Sequence, residues 1–260
     1  MSIAFLSLRD RYAFNSQPST DLADKVRSIV IFGENLDIDS ITTPETVWGQ
    51  GGLYVFPTAA DTCSIVSTSA QDTVTTGTGA WHLLLEGLNS NYMEQYETIV
   101  LNGTTPVISS LRYLRINSAR IIYSGTSKVN VGNITVTLDS KIVRYIAATK
   151  SIDHTSVFTI PAGHTFFPMV FNYNTMKSMS NVITVVSKVF VPSLNTIVTS
   201  SYTTVVGHVG LSRSDLAFPR IPEKSDYWLD IEYASSLNIE VTTSIRGHLV
   251  KNGFIPRYNQ

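Results

Sequence analysis

The stretch that decides the fold is NITVTL, residues 133–138, in which aliphatic and hydroxyl side chains alternate. A period of two places the aliphatic side chains on one face of an extended chain and the threonines on the other, as in a half-buried strand. The same period returns over residues 227–233 and again over residues 237–245. We predict a β-strand at each of these three places.

Further β-branched and aromatic runs fill most of the chain beyond about residue 62, and turn residues such as Asn102-Gly103 and Asn252-Gly253 separate them. Many short strands without helical periodicity are typical of an all-β sandwich or barrel. Residues 1–45 lack this rhythm. We therefore predict an irregular N-terminal arm over residues 1–45 and a single β-sandwich domain over residues 46–260.

Composition favours association with other proteins. Charged residues make up only 15% of the 260 residues, against about 25% in a typical globular protein. The net charge of -1 gives no electrostatic reason to expect nucleic acid or an anionic membrane as partner. It also provides little self-repulsion, which favours a component of an assembly.

Cysteine content and hydropathy exclude several classes of protein. Cys63 is the single cysteine, so there is no intrachain disulfide framework and no multi-cysteine zinc site. A small residue buried in a strand is the expected role of this thiol. No apolar run approaches a membrane span, and the opening residues do not resemble a secretory signal. We expect synthesis in a cytoplasm.

Motifs for catalysis or metal binding are not apparent. The chain has no Gly-x-Ser-x-Gly elbow. Asp37 and Asp39 have a spacing compatible with calcium, but the glycine and distal glutamate of an EF-hand loop are missing, and turn or capping roles explain them. The five histidines stand singly: His82, His154, His164, His208 and His248. We expect no enzyme activity, no catalytic residues, no cofactor and no metal.

Two alternatives from other functional classes remain open. A glycosidase needs two carboxyl groups facing each other across a cleft, and no order in the sequence selects a pair from the candidates Glu86, Glu94, Glu97, Asp230 and Glu232. A carbohydrate-binding module needs exposed aromatic rings. The candidates are Tyr202, Tyr227, Trp228 and Tyr233, of which those on the inward face of an alternating strand are expected in the core.

The stretch VWGQGGLYVFPTAA, residues 47–60, has two interpretations. Glycines in a phosphate-binding loop follow a strand and open a helix, whereas Gly51 and Gly52 lead into a strand-like run that contains Tyr54 and ends at Pro57. The context favours a tight turn. We predict a structural hinge between arm and sandwich, with both glycines making the turn and Trp48 packed as its anchor.

Several segments together form a recognisable pattern. They are FGENLDID (32–39), VWGQGGLYVFP (47–57), STSAQDT (67–73), GTGA (77–80), GLNSNY (87–92), LNGTTPV (101–107), YLRIN (113–117), NVGNI (130–134), IPAG (160–163) and PEKSD (222–226). With these segments the chain resembles a family of tailed-phage virion structural proteins common in aquatic phages, most strongly over residues 32–135.

The resemblance implies a jelly-roll-like β-sandwich that is used many times in a particle and is not an enzyme. It implies a capsid decoration or cement protein, assembled in the host cytoplasm and located in the virion. The expected partners are the major capsid protein, or tail and neck proteins, and other copies of the chain in a homotrimer. The alternative is a tail, neck or fibre subunit with a carbohydrate- or receptor-binding sandwich.

Overall fold

The computed structural model of the protein describes residues 25–38, 44–175, 181–207, 211–214 (backbone only) and 220–254. This part of the chain is all-β, and its strand pairings are antiparallel. The strands are β1 (Val26–Ile38), β2 (Glu45–Thr46), β3 (Asp61–Ser67), β4 (Ala80–Leu88), β5 (Glu94–Val100), β6 (Val107–Tyr113), β7 (Arg115–Ser124), β8 (Ile134–Leu138), β9 (Lys141–Ile146), β10 (Phe158–Thr159), β11 (His164–Thr175), β12 (Val182–Val191), β13 (Thr196–Val206), β14 (Leu211–Ser214), β15 (Asp226–Ala234) and β16 (Ile239–Lys251).

Two sheets form a jelly roll. One has the order β1-β16-β11-β14, and the other has the order β10-β15-β12-β13, with β2 also paired to β15. If β2 and β10 are counted as two halves of one strand, the orders in chain sequence are 1-8-3-6 and 2-7-4-5, which is the arrangement of an eight-stranded jelly roll. The expected jelly-roll-like sandwich is confirmed.

The second strand of this jelly roll is interrupted by an insertion. Thr46 in β2 pairs with Asp230, and Phe158 in β10 pairs with Tyr227 further along the same strand β15. Between these two halves the chain leaves the sheet and returns, and Ser156 donates its backbone N–H to the carbonyl of Val47 at 3.0 Å. The chain between the two half-strands is therefore an insertion attached at the edge of the jelly roll.

The insertion is itself a β-sandwich. Its sheets have the orders β6-β3-β8-β9 and β5-β4-β7, so all seven strands come from one continuous stretch of chain. The deciding stretch forms β8, where Ile134, Val136 and Leu138 are fully buried and the two threonines between them are partly exposed. The alternation predicted from the sequence is confirmed.

The hydrophobic core is accordingly divided in two. One cluster lies inside the jelly roll and contains residues from β1, β11, β12, β15 and β16, among them Ile31, Phe171 and Leu229. The other fills the inserted sandwich and also contains Trp228, which projects from the jelly-roll strand β15. The prediction of one sandwich over residues 46–260 did not include this division.

The predicted N-terminal arm is wrong where the structure describes it. Residues 26–38 form the 13-residue strand β1, which pairs with β16 from Val26↔Val250 to Ile38↔Ile239. Gly33 and Asn35 interrupt the alternation of apolar and polar residues in the sequence, because both lie close to neighbouring atoms in the fold. A Cβ at Gly33 would lie 2.6 Å from the Val47 carbonyl oxygen. Residues 1–24 and 39–43 of the predicted arm lie outside the described residues.

Candidate functional site

The glycine turn at residues 48–52 lies where the chain leaves the jelly roll for the inserted sandwich. Gly51 and Gly52 have φ values of 77° and 67°, which lie in the left-handed region that glycine adopts without strain. The carbonyl of Gly52 accepts the Trp48 indole N–H at 3.0 Å and the Thr46 backbone N–H at 3.0 Å. The predicted turn is observed, but the segment before it is a strand of the jelly roll and not an arm.

A ladder of aromatic rings joins the two sandwiches. Trp48, Tyr54, Phe56 and Trp228 contact each other edge to face, with centroid distances of 5.1, 4.9 and 5.2 Å along the series. Burial raises the pKa of the Tyr54 hydroxyl to about 12, so this side chain stays neutral. Trp48 therefore packs as an anchor, as predicted, and the ladder holds the inserted sandwich against β15.

A cleft of about 670 Å³ lies beside this ladder, between the two sandwiches. Two residues of the predicted hinge, Tyr54 and Pro57, line it. The cleft is also lined by both exposed and buried side chains of the jelly roll and the insertion, including Leu53, Phe56, Tyr92, Lys188, Ile197 and Trp228. Its size and its position between two units are typical of small-ligand sites.

Lys188 and Asp230 form the polar edge of the cleft, and Glu232 lies beside them. Lys188 donates to Asp230 at 3.1 Å and to Glu232 at 2.8 Å. Burial alone would lower the pKa of Lys188, but its hydrogen bonds to Glu232 and Asp230 outweigh burial and hold this pKa above its ordinary value. Asp230 also accepts the Trp228 indole N–H at 2.9 Å and the Thr46 hydroxyl at 2.7 Å. All these groups are positioned by β2, β12 and β15.

A buried ion pair closes the other side of the cleft. Arg115 at the start of β7 donates to both carboxylate oxygens of Asp226 on β15, at 2.9 and 2.8 Å. Arg115 also donates to the Pro57 carbonyl at 2.7 Å, and its guanidinium lies 5.3 Å from the Phe56 ring centroid. Since both side chains are buried, this bidentate pair fixes the inserted sandwich to the jelly roll.

The five carboxylates considered for glycosidase chemistry are distributed over both sandwiches. Asp230 and Glu232 are brought together through Lys188. Glu94 pairs with Arg27, Glu86 lies 3.8 Å from Arg120, and Glu97 accepts the backbone N–H of residues 110 and 111. The last three belong to the inserted sandwich, each with partners of its own.

The four candidate aromatics divide into a buried and an exposed pair. Tyr227 and Trp228 are buried. Tyr202 is 63% exposed and Tyr233 is 49% exposed, and both lie on the outer face of the sheet β10-β15-β12-β13. The strict alternation in the sequence placed Tyr233 on the same face as Tyr227. A register shift in the β12–β15 pairing next to Thr184 explains why it is exposed instead.

Histidines and acidic residues considered as metal ligands lie in separate places. His154 contacts Glu34 at 2.7 Å, and Lys150 also pairs with Glu34, at 3.1 Å. Burial opposes ionisation of Glu34, but the hydrogen bonds from His154 and Lys150 outweigh it and hold its pKa below the ordinary value. His82, His164 and His248 lie on β4, β11 and β16.

Asp37 lies on β1, and Asp39 and His208 lie outside the described residues. Within the described ranges, no three His, Cys, Asp or Glu side chains are grouped as metal ligands. No helix in the same ranges is long and apolar enough to cross a bilayer. Cys63 is buried, and burial raises the pKa of its thiol to about 12, as suits a packed side chain.

The STSAQDT segment, residues 67–73, is a turn built around one buried carboxylate. Asp72 accepts the Ser67 hydroxyl at 2.6 Å and the backbone N–H groups of Ala80, Val131 and Gly132, each at 2.8 Å. A Cβ at Gly79 would lie 2.1 Å from the same carboxylate. Residues in three of the segments that carry the virion resemblance therefore meet at one structural turn.

Sequence reasoning missed Lys188, Arg115 and Asp226. Lys188 is a single charge inside the apolar run NVITVVSKVFV, which is a usable signal for a buried or cleft-lining charge because an unpaired one is rarely buried. Arg115 and Asp226 gave no comparable signal, since their pairing joins residues 111 positions apart.

Comparisons with known proteins give no further assignment. No protein-family model matches this chain, and no curated protein matches it. A functional proposal therefore depends on the fold, on the site geometry and on the resemblance of the sequence segments.

Proposed function

We propose that the protein is a structural component of a tailed-phage virion, a capsid decoration or cement protein that acts through symmetric protein–protein contacts. In this role the protein binds other virion proteins and catalyses no reaction. It is assembled in the host cytoplasm and located in the virion. The jelly roll supports the proposal, since viral capsid domains are among the proteins that use this architecture. Several of the segments that carry the resemblance, such as STSAQDT and GTGA, form the turn around Asp72, which is a structural role.

The observation that carries the proposal is the edge strand β13. Its sequence, TIVTSSYTTVV, contains no charged residue and no proline. Val198, Tyr202 and Val206 on it are exposed, and among the described strands it pairs only with β12. Long uncharged edges promote pairing with other chains, and monomeric proteins protect them with lysine, proline or a cover. An edge that lacks lysine and proline suits a chain that associates with copies of itself.

The first experiment measures the mass of the purified protein by light scattering, alone and after co-sedimentation with capsids or tails of its phage. We expect a homotrimer that sediments with capsids. Binding to tails alone, or a ring-sized oligomer, would contradict the decoration role and assign the protein to tail or neck. A monomer that sediments with neither particle would contradict the virion role altogether.

The contribution of β13 is tested by a double substitution, Val198→Lys with Val206→Lys, which places two charges on the exposed strand. We expect the mass to fall to that of a monomer. The matched control is Leu237→Lys, which charges an equally exposed apolar position in the turn between β15 and β16. Equal masses for the double variant and the control would show that β13 is not the contact.

A further inference from the structure

The cleft between the two sandwiches exposes apolar surface that the fold itself does not cover. Leu53 on the insertion side is 50% exposed and Ile197 on β13 is 58% exposed, and both line the cleft with the rings of Phe56 and Trp228. Exposed aliphatic and aromatic groups around a concave volume of this size are typical of a site for a small ligand.

The charges around the cleft disfavour an anion. Two cations, Lys188 and Arg115, line the cleft with two carboxylates, Asp226 and Asp230, and Glu232 beside the cleft also pairs with Lys188. Arg115 pairs with Asp226, and Lys188 pairs with both Asp230 and Glu232, which leaves no cation dedicated to a phosphate or carboxylate. Carboxylate oxygens accept hydrogen bonds from hydroxyl groups, and a lysine ammonium donates to hydroxyl oxygens. The polar edge therefore suits a neutral ligand with many hydroxyl groups.

Strand pairing extends the site onto the open face of the jelly roll. Val186 on β12 pairs with Asp230 on one side and with Tyr202 on the other, so these residues lie in one row across the sheet. In a nearby row Thr184 pairs with Tyr233 and with Thr204. The face that leads away from the cleft therefore presents two exposed tyrosine rings separated by threonine, without a charge between them.

We infer that this cleft and the adjoining tyrosine face bind a neutral oligosaccharide. Exposed tyrosine rings provide flat apolar surface with a polar tip, and this surface fits the C–H face of a pyranose ring. The Lys188–Asp230–Glu232 cluster forms hydrogen bonds with hydroxyl groups of the same oligosaccharide. A linear oligosaccharide fits the combined shape, with one end in the cleft and further rings over Tyr202 and Tyr233. The inference does not require the proposed virion role, but Ile197 and Tyr202 lie on β13, the strand proposed for association between copies.

The test titrates the full-length protein with maltohexaose, cellohexaose, xylohexaose and chitohexaose, followed by calorimetry and by NMR line broadening of the sugar. We expect binding of at least one of the four. Tyr202→Ala is expected to weaken it about three- to tenfold, the effect of losing one ring contact. The matched control is Tyr96→Ala, which removes a tyrosine that is 75% exposed on β5 of the inserted sandwich.

Two results would overturn the inference. One is the absence of binding to all four sugars at millimolar concentration. The other is equal affinity of the Tyr202 and Tyr96 variants. Light scattering of Tyr202→Ala separates this site from subunit association, because a changed mass would assign Tyr202 to the contact between copies and not to the sugar. An unchanged mass with weaker sugar binding supports the inference, whatever the protein's place in a particle.

Discussion

The inserted sandwich and the jelly roll are built from the chain in different ways. The insertion uses one continuous stretch, and its strands are fixed by local turns such as the one around Asp72. The jelly roll is closed by pairing of residues more than 200 positions apart, as in Val26↔Val250. Local turns therefore determine the fold of the inserted sandwich, whereas pairing between distant strands determines the fold of the jelly roll. Substitutions at turns should therefore affect the two halves unequally.

The largest effect is expected at the Asp72 turn. Asp72→Ala leaves one hydroxyl and three backbone N–H groups without their buried acceptor. We expect it to lower the free energy of unfolding by about 4 kcal/mol, because unsatisfied buried polar groups each lose their full desolvation energy. Urea denaturation measures this loss. Asp61→Ala, at an exposed carboxylate at the start of β3, is the control, and an equal effect of the two would contradict the structural role of Asp72.

The next largest effect is expected at the contact between the jelly roll and the inserted sandwich. Arg115→Met leaves the buried Asp226 carboxylate without its ion pair, and we expect the free energy of unfolding to fall by about 3 kcal/mol. A double variant, Arg115→Met with Asp226→Leu, removes both charges and should recover most of the loss. Thermal and urea unfolding of the two variants provide the comparison. If the double variant is no more stable than the single one, the pair does not act as a unit.

A smaller effect is expected at the turn where the chain leaves the jelly roll. No atom lies within 4 Å of a Cβ built on Gly52, so Gly52→Val acts through its left-handed backbone alone. We expect the free energy of unfolding to fall by about 2 kcal/mol, which urea denaturation measures. Gln50→Val, two residues earlier in the same turn, is the control. An equal loss of stability in Gln50→Val would show that the effect comes from the β-branched side chain and not from the left-handed backbone at Gly52.

The smallest effect depends on pH. Glu34 on β1 bonds to His154 and Lys150 on the returning segment, and its pKa is lowered in the fold. A lowered folded pKa stabilises the protein above about pH 4.3, the unfolded value, and this stability is lost as the pH falls through the folded pKa. We expect Glu34→Gln to lower the unfolding free energy by about 1 kcal/mol at neutral pH.

The difference between Glu34→Gln and the natural chain should therefore disappear in acid. Thermal unfolding of both proteins over a series of pH values from neutral to about pH 3 measures it. A difference that stays constant over the whole range would show that the glutamate does not act through its charge.

The sequence predicted strands wherever alternation was local and regular. Residues 134–138, 226–234 and 239–251 are strands, and Tyr227, Leu229 and Ile231 face the core as the period of two requires. Strand β1 was missed because Gly33 and Asn35 interrupt the apolar pattern at positions where neighbours are close. Gly51 and Gly52 make a turn, as their pattern indicated, but the strand-like run that follows them, residues 53–57, is not a strand.

The cleft was not predictable from the sequence. Trp228 and Asp230 lie on the face of β15 that alternation assigns to solvent. Trp228 is buried in the core of the inserted sandwich, and Asp230 is buried by its contacts with Trp228 and Thr46. The burial of Trp228 depends on the interruption of one jelly-roll strand between Thr46 and Phe158. No local sequence pattern predicts this interruption. The Lys188 cluster likewise joins β12 and β15 across 42 positions. Side chains at the seam between two units are fixed by tertiary pairing alone.

The most direct test of this architecture is to produce residues 47–157 alone and to measure circular dichroism and urea unfolding. The segment retains Arg144 with its buried partner Asp153, 3.2 Å apart, and the Val157 carbonyl that Arg144 also binds. An autonomous insertion predicts a β-sheet spectrum and a cooperative unfolding transition. A spectrum of unfolded chain without any transition would contradict the account, because the insertion would then depend on the jelly roll for its core.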